Sequence, residues 1–196
     1  GHRKKEIDDA VKEQIDNISH STLLGLSNVP AIKLAEKLVQ IVQETLPPHP
    51  PLYKGGLKGG EINPSDNPLG KGGKGGLCKI FFSDNGSTSF EISLKMAFQY
   101  WRNKGIAGRN TFVSLNNAYH GDAIGAVSVG GIDIFHKTFE PLLFRTYKSP
   151  SPYCYRCDHG KEYPGCRLAC LEKMEEIFKA HSGEIAAMII EPMIQA

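Results

Sequence analysis

The stretch "IFFSDNGSTSFEISLKMAFQYW", residues 80–101, changes its hydrophobic period part-way along. It begins with a short apolar run, which predicts a buried strand over residues 78–83. Apolar residues then recur three or four positions apart, which predicts a helix over residues 88–104 with a capping box of Thr88 and Glu91 in its first turn. A strand that leads directly into a helix is the repeating unit of α/β proteins, and the stretch therefore indicates that fold class.

The turn inside this stretch, residues 83–88, has the composition of an anion-binding site. Gly86 lets a ligand approach the backbone closely, and Ser87 and Thr88 place hydroxyl groups beside the unpaired N–H groups of the first helical turn. The spacing does not match a Walker loop or a dinucleotide fingerprint. Two interpretations stay open from the residues alone: a phosphate cup and a plain helix N-cap.

Elsewhere in the chain, the hydrophobic periods predict strands that alternate with helices, which indicates an α/β fold with a largely parallel sheet. A short helix of small residues is expected within "NNAYHGDAIGAVSVGG", residues 116–131, and residues 132–168 are expected to be mostly irregular. The other helices are predicted over residues 5–18, 30–46 and 169–182, and the other strands over residues 111–115 and 185–190.

Residues 47–77 differ in composition from the rest of the chain, with nine Gly, six Pro and four Lys in 31 positions. Such a segment buries too little apolar surface to offset the entropy of ordering it, so we interpret it as a flexible low-complexity insertion. A phosphate-binding loop is the less favoured alternative, because no strand precedes these glycines. The predicted organisation is an N-terminal helical segment (1–46), the insertion (47–77) and an incomplete large domain (78–196).

The bulk properties of the chain are those of an ordinary globular protein. Its 196 residues are 40% hydrophobic and 22% charged, with a net charge of +2, which gives no reason to expect a nucleic-acid or membrane partner. The basic start is not followed by the apolar region of a secretory signal. The five cysteines are therefore expected to be reduced thiols in the cytoplasm.

Two further candidate sites follow predicted strands, where α/β sheets bind their ligands. Tyr119, His120 and Gly121 come after the strand at 111–115, and Tyr119 could stack on a flat ring while His120 could exchange a proton. Glu191 comes after the last predicted strand and could orient a polar group of a ligand. The alternatives are a purely structural turn and a buried, hydrogen-bonded glutamate.

Four cysteines have a spacing that resembles metal ligation, because a CxxC pair is followed by a CxxxC pair and four thiolates suit zinc. The second pair is looser and falls at the start of a predicted helix, where it is only a one-turn neighbour pair. Reduced thiols are therefore favoured over a zinc site. The four residues are Cys154, Cys157, Cys166 and Cys170.

Taken together, three separated motifs resemble a known family: "FFSDNGST…E…LKMA.QYW", "YHGD..GA.SVG" and "IA…IIEP..Q". With the N-terminal "HSTLLGLSN.PAI.LA..L", they are similar to the class III (subgroup II) aminotransferases that use pyridoxal phosphate, and most of all to the members that act in biotin biosynthesis. The resemblance covers residues 1–46 and 78–196. It implies a fold-type I transferase, of which the chain would hold a partial large domain and the N-terminal helices.

The resemblance also implies roles for the matching positions. Gly86 and Ser87 correspond to the pair that holds the cofactor phosphate, with Thr88 assisting. Tyr119 corresponds to the aromatic residue that packs on the pyridoxal ring. The complete set of implied binding residues for pyridoxal 5'-phosphate is Gly86, Ser87, Thr88, Tyr119, His120, Gly121 and Glu191, and Tyr119 would also face the substrate.

The reaction that the resemblance implies is amino transfer from S-adenosylmethionine, or from lysine, to 8-amino-7-oxononanoate, giving 7,8-diaminononanoate, in a cytoplasmic homodimer. The Schiff-base lysine of the family and the aspartate that partners the pyridine nitrogen belong to regions downstream of residue 196. The chain is therefore expected to be a fragment without catalytic residues and inactive alone. The alternatives are another class III enzyme acting on an ω-amino compound, a non-catalytic truncated gene product and a small zinc-binding module.

Overall fold

The computed structural model of the chain describes residues 2–45 and 79–191. The chain divides into two units, residues 1–81 and residues 82–196. The predicted insertion over residues 47–77 lies outside the described residues.

The first unit contains two helices, α1 (Lys5–Asn17) and α2 (Val29–Thr45). Both confirm the helices predicted in this part of the chain to within one residue at either end. The start of α2 is capped by Asn28, whose side-chain oxygen accepts a hydrogen bond from the backbone N–H of Ala31 at 2.9 Å. An asparagine in this position satisfies one of the donors that a helix start leaves unpaired.

The second unit alternates helices with strands, as the sequence predicts. Two short 3₁₀ segments interrupt the connections between them, at Lys137–Leu142 and Cys154–Arg156. The described helices and strands are α3 (Gly86–Asn103), β1 (Thr111–Leu115), α4 (Ile124–Val129), α5 (Asp133–His136), β2 (Thr146–Ser149), α6 (Ala169–Ala180) and β3 (Ile185–Ile189).

The three strands form a parallel sheet in the order β2-β1-β3, which confirms the predicted α/β fold with a parallel sheet. Val113 in the middle of β1 lies opposite Tyr147 of β2 and Met188 of β3. The pairing of β1 with β3 shifts between Thr111 and Phe112. Because the strands are parallel, the loops that leave their carboxyl ends emerge at one edge of the sheet.

The core of this unit surrounds β1. Leu94 of α3, Phe112 of β1 and Val129 of α4 form a buried cluster, so both helices contribute to the same apolar layer. Val113 and Ser114 have no exposed surface at all. A central parallel strand is buried on both faces, and the burial of β1 fixes the position of the loop that follows it.

One prediction about elements is wrong. Residues 79–83 carry no strand, because an apolar run becomes a strand only when a neighbour completes its hydrogen-bond ladder, and no such pairing forms at these residues. Residues 132–168 are mostly irregular, as predicted, although α5, two 3₁₀ segments and the strand β2 fall among them. The sequence of β2 is "TYKS", which is too short and too polar to be recognised as a strand from its pattern.

None of the helices in the described part of the chain has the length and apolar character that a bilayer crossing requires.

Candidate functional site

The start of α3 is capped by Asn85 and not by the predicted capping box. The side-chain oxygen of Asn85 accepts a hydrogen bond from the N–H of Thr88 at 2.9 Å. The hydroxyl of Thr88 donates to the carboxylate of Asp84 at 2.5 Å and lies 2.8 Å from the hydroxyl of Ser83. These bonds lower the pKa of Asp84, with the bond from Thr88 as the largest cause. Thr88 is therefore engaged in the cap itself.

The first two N–H groups of α3 stay available for a ligand. Within the part of the chain that the structure describes, the N–H groups of Gly86 and Ser87 donate to no protein acceptor, whereas the next two N–H groups are used by the cap at Asn85. Unpaired N–H groups at the start of an 18-residue helix carry a partial positive charge and attract anions.

Ser87 connects this helix start to the turn that follows β1. Its hydroxyl oxygen accepts a hydrogen bond from the backbone N–H of Ala123 at 3.0 Å. Gly121 passes so close that a Cβ atom there would lie 2.7 Å from the same oxygen, and its φ of +117° is one that other residues rarely adopt. Gly121 is therefore required both by its conformation and by its approach to Ser87. The two segments that the sequence singles out separately are in contact.

His120 is packed against α3. Its ring stacks on that of Phe90, with 4.6 Å between centroids and an angle of 11°. Burial, and after it the charge of Lys148, lowers the pKa of His120, so the ring is neutral at pH 7. Its Nε2 atom is buried and has no hydrogen-bond partner among the described residues.

Tyr119 is one of the exposed residues of the turn, with 36% of its surface exposed. Its hydroxyl interacts with the carboxylate of Asp122, which is the main cause of a raised pKa for Tyr119. The phenol therefore remains protonated at neutral pH, and its single proton is directed to Asp122. A half-exposed ring held by its hydroxyl is suited to covering a flat ligand.

Glu191 lies two residues beyond β3, at the same edge of the sheet as the turn after β1, and is half-buried. Among the described residues, no hydrogen bond or ion pair joins its carboxylate to the other predicted site residues. The structure thus brings Gly86, Ser87, His120 and Gly121 together and leaves Glu191 at the edge without such a contact.

The four cysteines of the second unit are free thiols in the structure, with Cys154 exposed and the others half-buried. No group of three or more His, Cys, Asp or Glu side chains within residues 2–45 and 79–191 is arranged to hold a metal ion.

A groove of about 480 Å³ lies elsewhere in the second unit and includes none of the predicted site residues. Lys148 and the buried His136 line it, together with Ser128, Glu140 and Phe144.

Comparison with known proteins identifies the family of this chain. The sequence model of the aminotransferase class-III family matches residues 64–196, which is more than half of the chain. The chain belongs to the class III aminotransferase family. Among curated relatives, the adenosylmethionine-8-amino-7-oxononanoate aminotransferases of Geobacter sulfurreducens and Anoxybacillus flavithermus are 45% and 47% identical to it over its whole length. The chain spans 36% of the length of each of these relatives.

Two solved transaminase structures superpose well on the chain. The adenosylmethionine-8-amino-7-oxononanoate aminotransferase of Methanocaldococcus jannaschii is 37% identical, with a TM-score of 0.71, over 97% of this chain and 33% of that one. An amine transaminase from an uncultivated Pseudomonas species, solved in its PLP-bound form, is 28% identical, with a TM-score of 0.76, over 99% of this chain and 38% of that one.

Three contacts of this class III chain involve residues that the sequence does not single out as site residues. Asp122 holds Tyr119, Phe90 stacks on His120, and Glu91 accepts hydrogen bonds from α4. Asp122 stands three residues after Tyr119 in the same turn, which is a usable signal. Phe90 and Glu91 lie more than 25 residues before their partners, and nothing in their local pattern shows where they point.

Proposed function

We propose that this chain is part of an aminotransferase of biotin biosynthesis. In this proposal an amino group passes from S-adenosylmethionine, or from lysine, to 8-amino-7-oxononanoate, giving 7,8-diaminononanoate, with pyridoxal 5'-phosphate as the cofactor. The observation that carries it is the identity of 45–47% along the entire chain to relatives that are named adenosylmethionine-8-amino-7-oxononanoate aminotransferase.

The start of α3 suits the phosphate of this cofactor. The N–H groups of Gly86 and Ser87 are free, and the Ser87 hydroxyl accepts from Ala123, which leaves its proton available for an anion. Thr88 already donates its hydroxyl proton to Asp84. Ser87 is therefore the better donor to the phosphate, and Thr88 contributes by shaping the cap.

The turn after β1 suits the ring of the cofactor. Pyridoxal phosphate, when bound, supplies an electron sink that stabilises negative charge on the reacting substrate carbon. In this proposal Tyr119 covers the ring, its hydroxyl proton is held by Asp122, and its hydroxyl oxygen faces the substrate as an acceptor. Gly121 keeps the turn close to Ser87, and the neutral His120 supports it from the side of Phe90.

We also propose that Glu191, which follows β3 at the same edge of the sheet, faces the cofactor. Its position two residues after β3 and its partial burial support this assignment. We also propose that the complete enzyme is a cytoplasmic homodimer, as the family resemblance implies. Size-exclusion chromatography with light scattering tests the dimer.

The test uses protein purified from the complete reading frame that encodes this segment. With pyridoxal 5'-phosphate added, we expect 7,8-diaminononanoate to form from 8-amino-7-oxononanoate when S-adenosylmethionine or lysine is the donor. The variant Gly121→Ala is expected to weaken cofactor retention at least tenfold, because the new Cβ collides with Ser87. Visible absorbance after dialysis measures that retention.

The matched control is Gly160→Ala, since Gly160 also has a positive φ but no atom within 4 Å of its Cβ position. It should keep the cofactor as well as the wild type does. A protein that retains the cofactor but uses only other amines would support the second candidate, an ω-amino or amine transaminase, which the structural match to the Pseudomonas enzyme favours. A protein that binds no cofactor would overturn both.

A further inference from the structure

The helix α4 is too short to be stable by itself. It has six residues, and isolated helices of fewer than about 12 residues are marginal in water. No side chain of the preceding residue, Ala123, caps its start. The backbone groups at both of its ends must therefore be satisfied by other elements.

The start of α4 is capped by a carboxylate from another helix. Glu91 of α3 accepts hydrogen bonds through one oxygen from the N–H groups of Gly125 at 2.5 Å and Ala126 at 3.1 Å. A carboxylate in this position also interacts favourably with the positive end of the helix. A Cβ atom on Gly125 would lie 2.5 Å from the other oxygen of Glu91, so the fit leaves no room for a side chain.

The end of α4 is capped by an ammonium group from the sheet. Lys148 of β2 donates to the carbonyl oxygens of Gly130 at 2.5 Å and Ser128 at 3.3 Å, and to the hydroxyl of Ser114 at 2.9 Å. All three protons of the ammonium group thus have acceptors. Opposite charges hold the two ends of one short helix, each in the orientation that the helix dipole favours.

The caps that Glu91 and Lys148 provide matter for the candidate site because the turn with Tyr119 leads directly into α4. Ser87 and Glu91 stand one helical turn apart on α3, and between them they accept hydrogen bonds from Ala123, Gly125 and Ala126. The backbone that follows the turn is therefore attached to α3, the helix whose first N–H groups, those of Gly86 and Ser87, are free for an anion.

We propose that Glu91 and Lys148 are positioning residues, which hold α4 so that the turn at residues 119–122 keeps its place against Ser87. This inference rests on the proposed function, because its consequence is the affinity for pyridoxal 5'-phosphate. Neither residue needs to touch the cofactor.

The test is the dissociation constant of pyridoxal 5'-phosphate for the complete protein, measured by titration at a temperature where circular dichroism shows each variant to be folded. Glu91→Ala should weaken binding about tenfold or more, since it removes the acceptor of two hydrogen bonds. Glu91→Gln keeps an acceptor oxygen and should stay within about threefold of the wild type. Glu172→Ala, which removes an exposed carboxylate from α6, is the matched control and should have no effect.

Gly125→Ala attacks the same contact from the other side and should also weaken binding. Because both changes break one contact, the double variant with Glu91→Ala should bind no more weakly than Glu91→Ala alone. Lys148→Met should weaken binding as well, whereas Lys95→Met, on the exposed side of α3, should not.

The outcomes separate the two proposals. A wild-type protein that binds no pyridoxal 5'-phosphate overturns the proposed function and this inference with it. If the wild type binds and Glu91→Ala binds equally well, the positioning role alone is overturned. Additive losses in the double variant, or no rescue by glutamine, would likewise contradict it and leave Glu91 a purely structural residue.

Discussion

Ser87 uses its hydroxyl group in two directions. Its oxygen accepts from Ala123, and its proton remains free for a ligand. One turn further along α3, the carboxylate of Glu91 accepts two hydrogen bonds, both from backbone N–H groups of α4. The two side chains share one helix face but differ in consequence, since only Ser87 keeps a group to offer to an anion. Ser87 is therefore suited to binding a ligand, whereas Glu91 is suited to positioning α4.

Lys148 gives a prediction about pH. Burial lowers its pKa to about 8, against about 10.4 for an unperturbed lysine. Between these values the unfolded chain binds more protons than the folded one, so the stability that depends on Lys148 rises as the pH rises through this window. His120 and His136 do not interfere, because their pKa values are lowered below the usual 6.5 and they titrate under pH 7.

The variant Lys148→Met removes this dependence. From about pH 7 to about pH 9.5, we expect the unfolding free energy of the wild type to gain about 1–2 kcal/mol relative to the variant, after allowing for the partial exposure of the group. The acceptors that methionine leaves unpaired add a constant offset at both pH values. Chemical denaturation at the two pH values measures the change, with Lys95→Met as the control. A difference that is the same at both would show that Lys148 is not desolvated.

At the scale of elements, α3 is the part on which the unit depends. Its start carries the unpaired N–H groups of Gly86 and Ser87, its second turn holds α4, and its end is attached to β3. Trp101 donates from its indole N–H to the carbonyl of Ala186 at 2.7 Å, and Arg109 covers the indole ring at 4.4 Å while it donates to the carbonyl of Ile185. A contact across 85 residues of sequence thus aligns the helix with the sheet.

The variant Trp101→Phe should show how much this attachment contributes. It keeps an aromatic ring but removes the indole N–H, so the carbonyl of Ala186 loses its hydrogen-bond donor. We therefore expect a loss of about 1–3 kcal/mol in unfolding free energy. Thermal unfolding of the complete protein, followed by circular dichroism, measures the loss. Tyr100→Phe removes a polar atom from the neighbouring ring and should have a smaller effect. Equal effects of the two variants would contradict the role given to the indole N–H.

The helices and strands with a strong hydrophobic period can be predicted from the sequence. The prediction is wrong or missing where strand formation depends on pairing with another strand. The helices at the N-terminus, α3, α6, β1 and β3 all have an apolar face or run that local pattern reveals. β2 has no such run, because Lys148 occupies an inward position that a pattern would assign to an apolar residue. Residues 79–83 have the run but lack a ladder. Strand formation depends on a distant partner, which local pattern does not contain.

The same limit applies to the candidate site. The capping box of Thr88 and Glu91 satisfies the spacing rule, yet Asn85 caps the helix and Glu91 reaches α4 instead. A spacing rule describes which bonds a side chain can make within its own helix. Which of several acceptors and donors it meets is decided by packing, and here α4 brings two N–H groups into reach.

At the scale of the whole molecule, two of the three motifs lie at one edge of a parallel sheet, and the third, at the start of α3, is joined to the turn after β1 through Ser87. The turn after β1 and the residue after β3 emerge at that edge because the strands run in the same direction. The order of the motifs along the chain therefore carries more information than any one of them, and for that reason the fold and the family could be predicted although single side-chain contacts could not.

The remaining prediction concerns the 196-residue chain produced alone. Large apolar side chains are open to solvent in it, with Leu24 89% and Ile134 86% exposed, and one face of α1 is about half exposed along its length. In the described part of the sheet, β2 and β3 are edge strands, which offer unpaired backbone groups to other chains. We therefore expect the isolated chain to bind the dye ANS and to unfold over a broad range or to aggregate, whereas the product of the complete reading frame should bind little dye and unfold cooperatively. Dye fluorescence and calorimetry on both proteins test this, and a sharp unfolding transition of a monomeric 196-residue chain without dye binding would show that these surfaces need no cover.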